Sequence, residues 1–381
     1  MFWYWLFAGP ALLLAFFSLR GERKRAAYLE SRLAENGEYL PPASVIVPVK
    51  GEDEGLRENL AALAALDYPD YELIVVARTG ADIPPGVLPN RAKVVLAHGG
   101  DPHTGEKIQN LLVAVRATRK RTAIFAFADS DGRPTRRWLR ALVAPLIEPG
   151  VGASTGYRWF TPQPPTFWSL MRGVWDAVAV GRLGPGDCGF AWGGAMAMRK
   201  ETFFEARVPE YWNGAVSDDY ALADAVHAAG LTIAFAPGAL TPCFERVTAR
   251  RFFSWARRQM TITRVYRREL WWPAIVAHAF YCGGMAASVW ASLRGHRLAE
   301  WALIAQLSPG MLKGLNRATL AKAALPECEP WFRRHAWVHA MWQPLATWIW
   351  LIVLAASAFG NTIEWRGRRY HLRGDSSNIR V

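Results

Sequence analysis

Two acidic groups carry most of the chemistry this chain offers, Asp129-Ser130-Asp131 and Ser217-Asp218-Asp219-Tyr220. Carboxylates at strand ends commonly hold a metal, a proton or both. A pair one residue apart suits a hard divalent cation, which takes oxygen ligands. An adjacent pair repels itself when both members are charged, which raises the proton affinity of one and fits it to accept a proton. Blander roles are available to both groups. Asp131-Gly132 is a turn dipeptide, and Ser217 or Asp218 could cap a helix running from Tyr220 to Ala229.

These residues need a scaffold, and the chain supplies one from about Ala43. Short runs rich in branched and aromatic residues, Ser44–Val49, Glu72–Ala77, Lys93–Ala97 and Ala123–Ala128, read as strands. Between them, Leu56–Leu66, Ile108–Thr118 and Arg136–Leu146 space their apolar residues as helices do. The pattern predicts a doubly wound α/β domain with a mostly parallel sheet. Ligands of such sheets sit off the carboxyl ends of the strands, where Asp53, Asp129 and Asp131 fall. Gly184-Pro-Gly-Asp-Cys-Gly189 spells a dinucleotide-binding fingerprint, but no strand precedes it in a βαβ unit and Pro185 has no N–H to give a phosphate. The segment Ala191-Trp-Gly-Gly194 reads instead as a small-residue strand start that admits close backbone approach, with Trp192 equally suited to a core.

The surroundings are those of a lipid surface. Of 381 residues, 51% are hydrophobic and 19 are Trp, above ordinary soluble usage. Phe2 to Leu19 carries no charge and is followed by Arg20, Arg23, Lys24 and Arg25, the pattern of a spanning helix with a cytoplasmic flank and not of a cleaved signal. Trp271–Leu293, Leu298–Leu312 and Ala336–Phe359 read as three further membrane segments, with one re-entrant or interfacial, since three full crossings would strand the basic tail on the far side. The net charge of +13 sits beside apolar runs, which favours anionic lipid head groups or a nucleotide diphosphate over nucleic acid. Four scattered cysteines form neither a metal site nor a disulfide framework.

The motifs together carry a resemblance. Lys50-Gly-Glu-Asp53, Asp129-Ser-Asp131, Ser217-Asp-Asp-Tyr220 and Arg251-Phe-Phe-Ser-Trp255 follow the order and spacing of the D, D, D, (Q/R)xxRW pattern of membrane-bound family 2-like glycosyltransferases. The KGxD opening and the tail Trp365-Arg-Gly-Arg-Arg-Tyr370-His-Leu372 look most like the ceramide glucosyltransferase branch, family 21. The resemblance implies a GT-A-type nucleotide-sugar domain and an inverting transfer of sugar from a nucleotide-sugar, expected to be a UDP-hexose, to a membrane lipid. It further implies a divalent metal, Mg or Mn, held by Asp131 with Asp129, and Asp219 of the Asp218-Asp219 pair as the base. Donor contacts are implied for Asp53, Lys107, Asn110, Asp129, Arg251 and Trp255. Ser254 stands where the motif has Arg, so Arg257 or Arg258 is expected to supply that charge.

The expected organisation is an anchor over 1–20, a basic linker over 21–42, the catalytic domain over 43–248, a basic interfacial helix over 249–269, membrane segments over 270–360 and a basic tail over 361–381. The chain would sit in the inner membrane of a bacterium with its catalytic domain facing the cytoplasm. Competing readings are a processive polysaccharide synthase, disfavoured by the few membrane segments, and a non-enzymatic membrane scaffold or nucleic-acid-binding protein.

Overall fold

The computed structural model describes residues 2–34, 37–101 and 103–373. A seven-stranded sheet forms from β1 (Ala43–Pro48), β2 (Tyr71–Ala77), β3 (Ala92–Leu96), β4 (Ile124–Ala128), β5 (Val151–Phe160), β6 (Ala195–Arg199) and β7 (Thr232–Cys243). Its order is β3-β2-β1-β4-β6-β5-β7, parallel except for β6, which runs against both β4 and β5. Helices cover its faces, so β1, β2 and β4 are buried almost throughout and read as continuous apolar runs. The first four strands and the helices Leu56–Ala64 and Glu106–Arg116 match the sequence expectation within two residues. The expected helix over Arg136–Leu146 is shorter, Trp138–Val143 followed by a 3-10 turn.

β6 begins directly after Ala191–Gly194, the segment read as a strand start, while β5 and β7 escaped sequence reading for a local reason. β7 contains Pro237 and Gly238, β5 contains Gly152 and Gly156, and their pairing shifts register between Thr155 and Tyr157. A Cβ on Gly156 would stand 2.2 Å from the Ala239 carbonyl oxygen, so this crossing tolerates no side chain.

Outside the domain, the helices Phe2–Phe17, Arg268–Leu293 and Arg297–Ala324 pack side by side. Tyr4 meets Ser288 at 3.3 Å, while a Cβ on Gly284 would lie 2.7 Å from that of Ala11, so the first helix runs antiparallel to the second. Gln306 donates to the Tyr281 carbonyl at 2.6 Å and holds the third against the second. Among the described residues two helical stretches, Tyr4–Ala34 and Arg268–Leu293, are long and apolar enough to cross a membrane. The expected middle segment is part of the 28-residue helix Arg297–Ala324, which carries five charged side chains, namely Arg297, Glu300, Lys313, Arg317 and Lys322. The last, Gln343–Ser357, has 15 residues, and at about 1.5 Å per residue it falls short of the roughly 30 Å hydrocarbon core.

The helix Ala249–Tyr266 corrects one expectation. Its apolar residues were to press into the bilayer, but Phe252 is fully buried against Trp168, Trp175 and Trp255. This helix is docked on Phe167–Val180, and Phe252→Ala is expected to cost about 3 to 5 kcal/mol of stability, measured by denaturant unfolding. The tail supplies a second surprise. β8 (Thr362–Trp365) and β9 (Arg368–His371) form a hairpin whose Ile363 and Tyr370, with the adjoining Leu372, are buried against the catalytic domain. The expected tail beyond Arg373 lies outside the described residues.

Candidate active site

The carboxyl ends of β1 and β4 open into a cavity of about 630 Å³. Asp53, Asp129, Asp131, Asp218 and Asp219 all line it, so the two acidic groups of the sequence meet in space. Their link is Lys107, on the first turn of Glu106–Arg116, whose Nζ lies 2.8 Å from Asp129 Oδ1 and 2.9 Å from Asp218 Oδ2. Burial pulls this ammonium toward neutrality, but the Asp129 and Asp218 carboxylates outweigh it and hold Lys107 charged, above the ordinary lysine range. The glycine of Trp192-Gly193 is required here. A Cβ on Gly193 would come 2.4 Å from Asp218 Oδ2 and 2.8 Å from Lys107 Nζ, so the close backbone approach expected of this segment serves the Lys107 bridge.

The adjacent pair divides its labour. Ser217 occupies the N-cap position of Asp218–Ala228, but its side chain does not cap. Asp218 is no cap either, since it is buried and turned onto Lys107. Asp219 is only half-buried. Its Oδ1 accepts from the Tyr220 N–H at 2.8 Å and from the Ser217 hydroxyl, and among the described residues Oδ2 has no partner, in a residue that lines the cavity.

Asp131 is the other distinctive carboxylate. Its Oδ1 is buried with no hydrogen-bond partner among the described residues, and burial, followed by repulsion from Asp129, raises its pKa to about 6 against the pull of Arg158. Asp218 is likewise raised to about 6, first by burial and then by Asp219 and Asp129, with Lys107 opposing. Both carboxyls bind protons more tightly folded than unfolded, where the value is 3.8. Their stabilising effect is therefore complete below 3.8 and is lost as pH rises through about 6. The thermal midpoint of the metal-free, nucleotide-free protein should fall over that window, and Asp131→Asn should flatten the decline.

An orphaned buried carboxylate oxygen beside a second carboxylate fits a divalent cation. Among the described residues no group of three or more His, Cys, Asp or Glu side chains could hold a metal alone, so Asp131 and Asp129 would need ligands from a bound phosphate or water.

The opposite wall is basic. Arg158 on β5 lies 3.3 Å from Asp176 Oδ2 and packs against the Trp255 and Trp192 rings, 5.0 and 5.5 Å from their centroids. Arg366, in the turn of the tail hairpin, reaches Asp53 Oδ1 at 2.6 Å, while Ser130 donates to Asp53 Oδ2 at 2.5 Å. Arg258 packs over Trp365 and is pushed down to about 10 by burial, with Arg158 and Arg366 adding repulsion. Arg158, Arg258 and Arg366 thus converge on the cavity beside the carboxylates, with Arg172 and Arg182 also in its lining.

Of the residues expected here, Asp53, Lys107, Asn110, Asp129, Asp131, Asp218, Asp219, Trp255 and Arg258 line the cavity. Two do not. Arg251 is exposed in the first turn of its helix, a full turn before Trp255, and Arg257 faces outward and donates to the Phe359 carbonyl at 3.2 Å. Sequence reading missed Arg158 and Asp176, whose pairing joins a strand to a following helix, and gave no site role to Arg366. The aromatic neighbour Tyr157 was the only local hint of the first.

Beyond Trp255 the same cavity becomes aromatic. Trp175 and Trp350 stack at 4.1 Å, His278 stacks on Trp350 at 5.6 Å, and Trp271 and Leu354 complete the wall toward the apolar helices.

A parallel sheet with acidic strand ends, a basic opposing wall and an apolar annex defines a group-transfer enzyme that handles a phosphorylated donor. The model of glycosyl transferase family 21 matches residues 4–378, and the chain belongs to that family. The protein is a glycosyltransferase, and its mixed α/β fold agrees with the GT-A expectation. Among solved structures it is similar to the mannosyltransferase PcManGT from Pyrobaculum calidifontis in complex with GDP-Man and Mn2+. The identity is 18% over 92% of this chain and 97% of that one, with a TM-score of 0.44. It is also similar to glucosyl-3-phosphoglycerate synthase from Mycobacterium tuberculosis in complex with Mn2+ and UDP-glucose, with 18% identity over 63% of this chain and 82% of that one and a TM-score of 0.39. No curated protein matches the chain.

Proposed function

We propose that this glycosyltransferase moves a hexose from a UDP-linked donor to the hydroxyl of a membrane lipid, with inversion at the anomeric carbon. One observation carries the reading, a single cavity that is acidic and basic at the strand ends and aromatic where it meets the apolar helices. The polar end suits a nucleoside diphosphate and the aromatic end a sugar face and an acyl-bearing acceptor.

In this reading Asp53, oriented by Ser130 and Arg366, binds the nucleoside. Asn110 lines the donor end, and Arg158, Arg258 and Arg366 face the diphosphate and stabilise the charge it gains on leaving. A divalent cation held by Asp131 and Asp129 would neutralise the same phosphates. The acceptor oxygen attacks the anomeric carbon as the bond to the diphosphate breaks, and Asp219 Oδ2 takes the hydroxyl proton. Lys107 keeps Asp129 and Asp218 fixed on either side of this centre.

The same contacts support a membrane arrangement. The tail hairpin must lie on the side of the catalytic domain because Arg366 reaches Asp53, so an even number of crossings separates Arg268 from Thr362. In this reading Arg268–Leu293 crosses, the antiparallel 28-residue helix Arg297–Ala324 carries the chain back in spite of its five charged side chains, and Gln343–Ser357 stays on the near side. Exposed Trp272, Trp290 and Trp301, each at least 60% accessible, then face lipid. With the basic flank at Arg20 to Arg25, that side is the cytoplasmic one.

The test is transfer by the purified full chain in lipid–detergent micelles, given UDP-hexoses and candidate lipids, with products read by mass spectrometry. A glycosylated lipid, lost on chelation, is expected. Asp131→Asn should abolish both the response to added metal and most of the activity, and full turnover by this variant with an unchanged metal titration would remove Asp131 from the metal site. Sugar transfer only to a soluble acceptor would overturn the lipid assignment.

A further inference from the structure

The near-side end of the helix bundle holds charges that the catalytic cavity does not use. Lys313, Asn316 and Arg317 share one face of Arg297–Ala324, spaced at three and four residues. They meet the helix Glu22–Ala34, where Asn316 donates to Glu22 Oε2 at 2.7 Å. Arg25 from that helix pairs with the other Glu22 oxygen and donates to the carbonyls of Gly181 and Leu183, the latter at 3.0 Å. Arg317 reaches the same turn, since a Cβ on Gly181 would lie 3.2 Å from its Nε.

The charges do not balance. Arg25, Lys313 and Arg317 face one carboxylate, Glu22, and both of its oxygens are already engaged. Arg317 is 93% buried, yet its Nε and Nη1 have no hydrogen-bond partner among the described residues, and Lys313 has no ion pair there. A buried guanidinium without an anion is costly, and a planar donor set of this kind matches a phosphate. Exposed Leu312 and Leu315 flank the cluster with apolar surface, and the apolar helix Phe2–Phe17 ends just before Glu22. The cluster therefore stands where head groups meet acyl chains.

We propose that Arg317, Lys313 and Arg25 form a binding site for the phosphate of an anionic phospholipid. It is separate from the acceptor's cavity, and the Gly181–Leu183 turn lies between them, with Arg182 lining the cavity. A lipid seated there would complete the charge of the cluster and fix the domain against the bundle.

Native mass spectrometry of the full chain in non-ionic detergent tests this without any sugar donor, so the outcome is independent of the transferase reading. Wild type should retain phosphatidylglycerol over phosphatidylcholine of the same acyl chains by about tenfold or more. Lys313→Gln with Arg317→Gln should lose that preference, and Arg333→Gln with Arg334→Gln, which removes two exposed charges elsewhere, should keep it. If the Arg317 variant fails to fold by circular dichroism, Lys313→Gln alone should still lower the preference by several-fold. An unchanged preference in the Lys313 and Arg317 variants, or an equal loss in the surface control, overturns the site. Displacement of the lipid by equimolar inorganic phosphate would make the ligand a free phosphate and overturn the lipid assignment.

Discussion

Asp219→Asn is expected to lower acceptor-dependent transfer by about 10²-fold or more while donor binding stays near wild type. The amide keeps the size of the side chain and can still accept from Tyr220 N–H and Ser217 at Oδ1. It cannot take a proton. Asp218→Asn should behave differently, because Asp218 spends its charge on Lys107 and sits buried in the cavity wall. Its loss should register in stability and in the placement of Lys107, with a smaller effect on the chemical step. If Asp219→Asn transferred sugar at the wild-type rate and Asp218→Asn did not, the roles of the pair would be reversed.

Lys107→Gln is expected to do comparable damage by another route. Removing the ammonium leaves Asp129 and Asp218 as neighbouring, mostly buried carboxylates with no cation between them, a loss of about 3 to 5 kcal/mol when one partner of a buried pair is deleted. Activity should fall with stability. Adding Asp218→Asn should restore part of the stability, since the uncompensated charge is then gone, while strictly additive effects in the double-mutant cycle would show that the bridge carries no coupling.

The sequence made the acidic centre and its strands legible because both depend on local patterns. β1, β2 and β4 are uninterrupted apolar runs, and an aspartate that directly follows such a run can only emerge at the edge of the sheet. β5 and β7 were hidden because glycine, proline and small residues replace the branched residues that mark a strand, and what replaces them is a close crossing of backbones at Gly156. Long-range pairs were equally hidden. Nothing near Asp53 points to Arg366, more than three hundred residues later, and nothing near Arg158 points to Asp176 on a different element. The interfacial helix misled for a further reason. Basic residues interleaved with Phe and Trp suit a bilayer surface and a protein groove alike, and only the aromatic ring of Trp168, Trp175 and Trp255 around Phe252 decides between them.

The central claim is that one cavity binds a nucleoside diphosphate through a metal at Asp131 while the base at Asp219 remains free for the acceptor. Calorimetric titration of UDP into the purified protein, with and without Mn2+, tests it most directly. Wild type and Asp219→Asn should bind UDP with similar affinity in the presence of the metal and far more weakly without it, and Asp131→Asn should bind weakly under both conditions. Binding that ignores the metal, or that survives intact in Asp131→Asn, would contradict the account.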